Sequence, residues 1–469
     1  VSLGEGTTSQ GDFHEALNWA SRDKVPVIFH VENNHFAISV PIESQTAGAS
    51  VYKISAGYEN LARFNVNGTD FFETHLAFKK AVERARKGKG PSLIVSDVVR
   101  LLPHSSSDDQ RKYRSEEELA SEKQKDPLLQ FTNICIDNGV AKQEEFDKIA
   151  EDVFDQVNAD AEWAESQSDP DPGSCVNNVY FSNYPEDIIE PEKNEGEKIV
   201  MVDAINHALD EELAHNEKMV IYGQDVGGGK GGVFTVTRGL SDKYGIHRVF
   251  NSPLAESSII GTAMGMATLG YRPVVEIQFG DYIWYGMMQI RNEVATMRYR
   301  SNGKWSCPLV MRVPVGGYIH GSLCHSQCIE GYFTHLPGIY IAYPSNAADA
   351  KGLLKMACRM DDPVMFMEHK GLYRQGFAAA PEPDKNYLLP FGRAAIIQEG
   401  TDVTIITWGA LVQKSIEAVR NTGLSAEIID LRTLNPLDMG TILTSIQKTN
   451  RAIIAHEDNL TNGFGGEIA

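Results

Sequence analysis

Two short motifs near the start of the sequence carry residue types able to hold a metal and a phosphate. Gly4-Glu5-Gly6 is followed, after 26 intervening residues, by Asn33-Asn34. Val1-Ser2-Leu3 reads as the end of one strand and Pro26 to Val31 as the next, so both motifs fall at strand ends on one edge of a parallel sheet. Ligands in open α/β sheets bind outside that edge, and flanking glycines let backbone approach a phosphate closely. A carboxylate and an amide oxygen are hard ligands, suited to a magnesium ion that also grips a diphosphate. Taken singly, each motif is equally a turn-rich loop.

Further candidates lie downstream. Pro103-His104-Ser105-Ser106-Ser107-Asp108-Asp109, with Tyr113-Arg114 after it, reads from residue types alone as a solvated polar loop. Glu256 stands just before a Gly-rich apolar helix, where an acidic residue serves either as a cap and dipole partner or as a buried functional carboxyl. His320, Cys324, His325 and Cys328 crowd into nine residues among glycines, whereas zinc sites favour two well-separated pairs. In Gly227-Gly228-Gly229-Lys230-Gly231-Gly232 the lysine precedes Gly rather than Ser or Thr and no long helix is expected next, so this is a turn rather than a phosphate loop.

The elements that must position these residues alternate strand and helix. After the first two strands, a helix with Phe71, Phe78, Val82 and Ala85 on one face precedes a strand over Ser92 to Val99. From Ser168 to Glu197 the periodicity collapses into a Pro-rich acidic stretch, the expected linker. A second α/β pattern follows, with a helix around Ala204 to Leu213, strands at Val220–Tyr222 and Val274–Phe279, and a helix carrying Ile283, Met287, Ile290, Val294 and Met297. A third begins near Phe391, with strands Val403–Thr407, Ala426–Leu431 and Arg451–His456 and a helix Leu411–Arg420. Bulk composition agrees with a folded protein: 42 % hydrophobic and 23 % charged residues in 469. Lys+Arg minus Asp+Glu is 43 − 63 = −20, which argues against a nucleic-acid partner. The most apolar stretch, Ser257 to Tyr271, is too short for a membrane span, and no targeting leader is visible. Six scattered cysteines read as reduced thiols.

The Gly-Glu-Gly and Asn-Asn pair resembles the thiamine diphosphate signature, with Glu5 where Asp is commoner and His35-Phe36 where Gly-Tyr is usual. Its surroundings resemble the alpha subunit of 2-oxo acid dehydrogenases, including a His-Ser-x-Ser-Asp-Asp loop at His104. Asn251-Ser252-Pro253-Leu254-Ala255-Glu256, then Glu276-Ile277-Gln278-Phe279-Gly280-Asp281-Tyr282, then His325-Ser326-Gln327, resemble the beta subunit in order and spacing, and Ala426 to Asp438 is similar to its transketolase-type C-terminal domain. The resemblance implies an α/β thiamine diphosphate-binding fold of repeated doubly wound parallel-sheet domains plus a partial transketolase C-terminal-like domain. The expected boundaries are 1–167 for the alpha-type diphosphate and magnesium domain, 168–197 for the linker, 198–385 for the pyrimidine domain and 386–469 for the last, with both ends of the fused pair expected to be missing. Gly4, Glu5, Gly6, Asn34, His104, Glu256 and Tyr282 are implied cofactor contacts. Glu5, Asn34 and the backbone carbonyl of Phe36 are implied magnesium ligands, and Glu256, His325 and His104 implied catalytic groups. Ser105 holds the place of a serine phosphorylated in some relatives.

The implied activity is oxidative decarboxylation of a 2-oxo acid, favoured as the branched-chain 3-methyl-2-oxobutanoate, with acyl transfer to the lipoyl group of a dihydrolipoyl acyltransferase. Pyruvate or acetoin enzymes share the skeleton, and a non-catalytic assembly subunit is the reading of another class. A transketolase would lack the serine loop. A homo-oligomer, at least a dimer of the fused chain, is expected, cytoplasmic in a bacterium or in the matrix of a mitochondrion, with no membrane contact.

Overall fold

A computed structural model describes residues 1–181, 188–189 and 196–469, so much of the expected linker (182–187 and 190–195) lies outside the described residues. The chain divides into two compact units, Val1–Pro170 and Asp171–Ala469.

The first unit is built on four parallel strands, β1 (Ser2–Gly4), β2 (Ile28–Asn33), β3 (Ala62–Asn67) and β4 (Ser92–Asp97), in the order β1-β2-β4-β3. Helix α1 (Gly11–Arg22) joins β1 to β2 and buries Phe13 and Leu17 against Val31, Leu93 and Val95. Helix α2 (Phe71–Arg86) starts where the Asp70 carboxylate accepts the backbone N–H groups of Phe72 and Glu73, and basic residues stand in its last turn. Its buried stripe differs from the expected face. Ala77 and Ala81 meet the sheet, Phe78 is half-buried, and Phe71 stays exposed against Phe72 and Phe131. A stripe of small residues lets a helix lie close to the β-branched surface of a sheet, which a Phe at position 71 does not reach. The long helix α3 (Gln143–Glu165) buries none of its residues.

The second unit has a seven-stranded sheet. Its members are β5 (Met219–Gly223), β6 (Val249–Asn251), β7 (Arg272–Glu276), β8 (Val310–Val315), β9 (Tyr340–Ala342), β10 (Val364–His369) and β14 (Thr433–Asn435), in the order β14-β9-β10-β8-β7-β5-β6. All pairs are parallel except β9 with β14. Helices α4 (Met201–His215), α5 (Glu256–Thr268) and α6 (Ala347–Arg359) cover it. A four-stranded sheet follows from β11 (Ala395–Gln398), β12 (Val403–Thr407), β13 (Ala426–Asp430) and β15 (Ala452–Ala455), ordered β11-β13-β12-β15, with α7 (Ala410–Thr422) and α8 (Met439–Thr449). Tyr180 and Phe181 are tied to this unit: the Tyr180 hydroxyl accepts Asn435 Nδ2 at 2.7 Å, and Arg298 lies over the Phe181 ring.

The expected continuous helix through Ile283 and Met297 is instead broken. A 3₁₀ turn spans Gly280–Gly286, a π-helix Gln289–Val294 and a short α-helix Met297–Arg300. The apolar residues Ile283, Ile290, Val294 and Met297 are still buried, but Gly286 packs so closely on α5 that a Cβ there would come within 3.1 Å of Ile260, and the coil changes pitch around that contact. Among the described residues no helix is long and apolar enough to cross a membrane. All six cysteines are free thiols.

Beneath the sheet's carboxyl edge, Arg312 on β8 is wholly buried. It donates to Glu276 on β7 at 2.7 Å and twice to Glu368 on β10, both at 2.7 Å, and the Tyr373 hydroxyl completes Glu368 at 2.5 Å. Removing one partner of such a network leaves charge without compensation, which costs about 3–5 kcal/mol, whereas an exposed pair contributes about 0–1 kcal/mol. Denaturant unfolding of Arg312→Met should therefore show a loss of that larger size, and Arg300→Met, which breaks the exposed pair with Glu293, almost none.

Candidate functional site

The site residues named from the sequence fall into two sets, one in each unit. In the first, β1 ends at Gly4 and β2 at Asn33, and the strands pair in parallel register, so Glu5 and Asn34 emerge side by side. The Asn34 backbone N–H donates to Glu5 Oε2 at 3.1 Å, while Glu5 Oε1 is buried with no hydrogen-bond partner. Glu5 is only 1 % exposed, and burial pushes its carboxyl above the ordinary range, against the N–H groups that bond it. An anionic oxygen left without a donor in such a place fits a bound cation. The two asparagines separate in role. Asn33 is buried and donates to Asp97 at 2.8 Å, whereas Asn34 turns its Oδ1 to the Phe36 N–H at 3.1 Å.

The replacement of the usual Gly by His35 is accommodated by a left-handed backbone, φ +66°. A Cβ on Gly6 would come within 2.7 Å of Ala37, so that glycine is needed for the close approach of the two loops; at Gly4 a Cβ would meet nothing, which leaves the backbone open to a ligand.

The serine loop is braced by Arg100, which the sequence reading passed over, acting through Tyr113 and Asp108 of the motif itself. The Arg100 guanidinium donates to the Ile38 carbonyl at 2.7 Å and to the Tyr113 hydroxyl at 2.7 Å, and Tyr113 in turn donates to Asp108 at 2.6 Å. Arg100 and the buried Arg114 both lie over the Phe36 ring, at 5.6 and 5.2 Å. Phe36 thereby links the second motif to this loop. His104 itself is exposed, with its backbone N–H held by Asp108 at 3.0 Å, and Ser105 and Ser107 bond each other at 3.1 Å.

In the second unit, Glu256 opens α5 but is not its cap: that position is Ala255, which has no capping side chain. The Glu256 carboxyl, 9 % exposed, instead accepts Gln224 Nε2 at 3.0 Å. Gln224 was not singled out, although it stands immediately after β5, on the edge where ligands of such sheets bind. Tyr282 leaves the 3₁₀ turn after β7 and its hydroxyl meets His325 Nε2 at 2.8 Å, while His325 Nδ1 faces the Gly321 carbonyl at 3.0 Å. That carbonyl can only accept, so Nδ1 carries the hydrogen and Nε2 receives the Tyr282 hydroxyl. Phe279 packs edge-on to the imidazole at 4.7 Å.

The loop between β8 and His325 holds Tyr318, His320 and Ser322 at φ +76°, +56° and +60°, a concentration of left-handed residues that marks a held, strained segment. The thiols beside His325 do not join it in a metal site: Cys324 is exposed, Cys328 lies 3.9 Å from the Tyr343 hydroxyl, and among the described residues no three His, Cys, Asp or Glu side chains could hold an ion. The glycine run is a turn, with Lys230 paired to Asp225 at 2.6 Å and only the short helix Leu240–Tyr244 after it.

Because burial raises the Glu5 carboxyl, its contribution to stability is fully present below the unfolded value of 4.5 and is lost as pH rises through the folded value. Glu5→Gln, neutral throughout, should therefore gain stability relative to the parent chain as pH rises above 4.5 in metal-free denaturant titrations. A difference that stays constant with pH would show that the charge is not buried in the metal-free protein.

Comparison with known proteins gives these sites a family. The profile of the dehydrogenase E1 component matches residues 1–173, that of the transketolase pyrimidine binding domain residues 197–375, and that of the transketolase C-terminal domain residues 392–469. The 2-oxoisovalerate dehydrogenase subunit beta of Bacillus subtilis (strain 168) is 45 % identical over 271 residues, covering 57 % of this chain and 82 % of its own. The mitochondrial 2-oxoisovalerate dehydrogenase subunit beta of Dictyostelium discoideum is 45 % identical over 292 residues, 61 % of this chain and 78 % of its own. The pyruvate dehydrogenase E1 component subunit beta of Bacillus subtilis (strain 168) is 43 % identical over 274 residues, 58 % of this chain and 83 % of its own. A solved structure, a split gene transketolase described as an inactive beta4 tetramer, covers 58 % of this chain and 82 % of its own at a TM-score of 0.46 and 23 % identity, a likeness too loose to carry an argument. With three profiles in E1 order and beta-subunit relatives at this identity, the chain belongs to the thiamine diphosphate-dependent 2-oxo acid dehydrogenase E1 family, carrying an E1-type first region and a beta-subunit-type second region in one polypeptide.

Proposed function

We propose that this chain decarboxylates a branched-chain 2-oxo acid, 3-methyl-2-oxobutanoate, and passes the acyl group to the lipoyl group of a dihydrolipoyl acyltransferase. The observation that carries the reading is the polarised pair of Tyr282 and His325, which holds one imidazole nitrogen ready for a proton, in a chain whose other unit leaves the Glu5 oxygen for a cation. Glu5, Asn34 and the Phe36 carbonyl would hold magnesium, with the Gly4 and Gly6 backbone beside the diphosphate and His104 near it. Glu256, set by Gln224, would hydrogen-bond the pyrimidine ring, and Tyr282 would flank it. Thiamine diphosphate, when bound, supplies the electron sink for loss of carbon dioxide. The protein's own task is then to exclude water, to hold a proton at Glu256 and to deliver one from His325 Nε2.

The branched-chain assignment rests on Glu276-Ile277-Gln278-Phe279 and on the 45 % identity to 2-oxoisovalerate subunits, and the 43 % identity to a pyruvate subunit makes pyruvate the rival. Two copies of the chain, equivalent to two alpha-type and two beta-type parts, are the assembly this reading requires. With an artificial electron acceptor, 3-methyl-2-oxobutanoate should give a kcat/KM at least about tenfold above that of pyruvate, a difference of the size that a few methyl contacts supply. The reverse order would reassign the substrate. His325→Ala should lower lipoyl-dependent activity of the reconstituted complex by about 10²–10⁴-fold while keeping much of the rate with the small oxidant, which needs no lipoyl group. Equal loss in both assays would place His325 in carbon–carbon cleavage or substrate binding instead.

A further inference from the structure

A cavity of about 710 Å³ opens in the second unit beyond the carboxyl ends of β8 and β10, with α7 as its far wall. Its size suits one small organic ligand. The charges around it run against the rest of the chain. In a sequence with a net charge of −20, the cavity gathers Lys370, Arg374, Lys414 and Arg420 against the single carboxylate of Glu417.

Carboxylates reach these four only at a distance, Asp281 and Glu457 towards Lys370 and Glu457 towards Lys414. Among the described residues none of them forms an ion pair. Lys370 is 4 % exposed, its ammonium donates to the Gly316 carbonyl, and burial pushes it down to about 8 although Asp281 and Glu457 act to raise it. Glu457 is already committed, to His369 at 2.8 Å and to the Gly317 N–H at 2.8 Å. The Arg374 guanidinium meets only neutral acceptors, the Phe234 carbonyl at 3.0 Å and the Thr235 hydroxyl at 2.6 Å. Lys414 sits 4.5 Å above the Tyr318 ring. A buried ammonium with no carboxylate in contact, in company with three further cations, favours an anion that completes the set. Phe234, Tyr318 and Phe377 give the same cavity faces on which a flat ring can stack.

We propose that this cavity binds a planar aromatic anion of nucleoside monophosphate size, with its ring on the aromatic wall and its phosphate-type group among the four cations. The ligand would also grip the loop that carries His325. Tyr318 belongs to that loop and is wedged against Gly371, where a Cβ would come within 2.8 Å of its ring. One ring, Phe279, touches both sides, lying 5.7 Å from Phe234 and 4.7 Å from His325. Occupancy should therefore order residues 317–325 as well as fill the cavity.

The test is calorimetric titration of AMP into the whole chain, kept saturated with thiamine diphosphate and magnesium so that the first unit's phosphate motif is engaged. Inorganic phosphate and adenosine are titrated alongside. AMP should bind at least about tenfold more tightly than either, since each carries only half of the recognised chemistry, and Lys414→Glu with Arg420→Glu should weaken AMP by at least about tenfold. Both lysine and arginine are exposed, so the fold should survive, and circular dichroism of the variant checks that it does. Hydrogen exchange over 317–325 should slow when AMP is added to the parent chain and not when it is added to the variant. The proposal is overturned if AMP does not bind at millimolar concentration, if phosphate alone binds as well, or if the folded double variant binds AMP unchanged. The variant arm reads this cavity alone, so failure of the cofactor assignment in the first unit would not be mistaken for failure here.

Discussion

The second unit depends on one buried guanidinium. Arg312 lies in the middle strand of three, bonded on one side to Glu276, the last residue of β7, and on the other to Glu368, the last but one of β10. The end of each strand carries chemistry: β7 leads to Gln278, Phe279 and Tyr282, β8 to the loop of His325, and β10 to Lys370. Main-chain ladders set the spacing of parallel strands, and the carboxylates on either flank add side-chain bonds across them. A hydrophobic replacement could fill the same volume, yet it would not hold two neighbouring strands by directed bonds. Gly232 approaches Glu276 so closely that a Cβ there would sit 3.2 Å from its carboxylate, so the glycine turn before the next helix is docked on the same network.

The two carboxyls at the strand ends of the two units are treated in opposite ways. Glu256 is shielded but satisfied, by a neutral amide donor that holds it without adding a charge. Glu5 is shielded more completely and left with one oxygen bare. A bare buried oxygen favours a cation or a proton over an empty anion. Two strand ends of the same kind, one in each unit, thus leave one carboxyl with an amide donor and the other with a bare oxygen.

Strain and charge also meet at the His325 loop. Tyr318, His320 and Ser322 lie in the left-handed region between Gly316 and His325; Tyr318 is held by Gly371 and Lys414, and His325 at the loop's end by Tyr282 and the Gly321 carbonyl. A segment kept in place by a few side chains, rather than by a ladder of main-chain bonds, responds to whatever touches those side chains. The cationic cavity is placed to do so.

Much of this was legible from local pattern. The strand Val403–Thr407 and the helix after it follow directly from alternation and from 3.6-residue spacing, because each side chain's burial there is set by its own element. The placing of Glu5 and Asn34 at neighbouring strand ends also followed from the sequence, since a parallel sheet sends all its carboxyl ends to one edge. What could not be read are the relations that join distant segments. Gln224 meets Glu256 across 32 positions and Arg312 meets Glu368 across 56, and neither pairing leaves a periodic trace. The helix expected through Ile283 and Met297 is broken although its apolar spacing is real, and the close packing of Gly286 on α5 is again a relation between distant segments. Residue types and short-range spacing determined which groups could do chemistry and on which edge they stand; only tertiary packing decided which of them lost water, which found a partner and which was left bare, because those outcomes depend on neighbours that the chain brings in from far away.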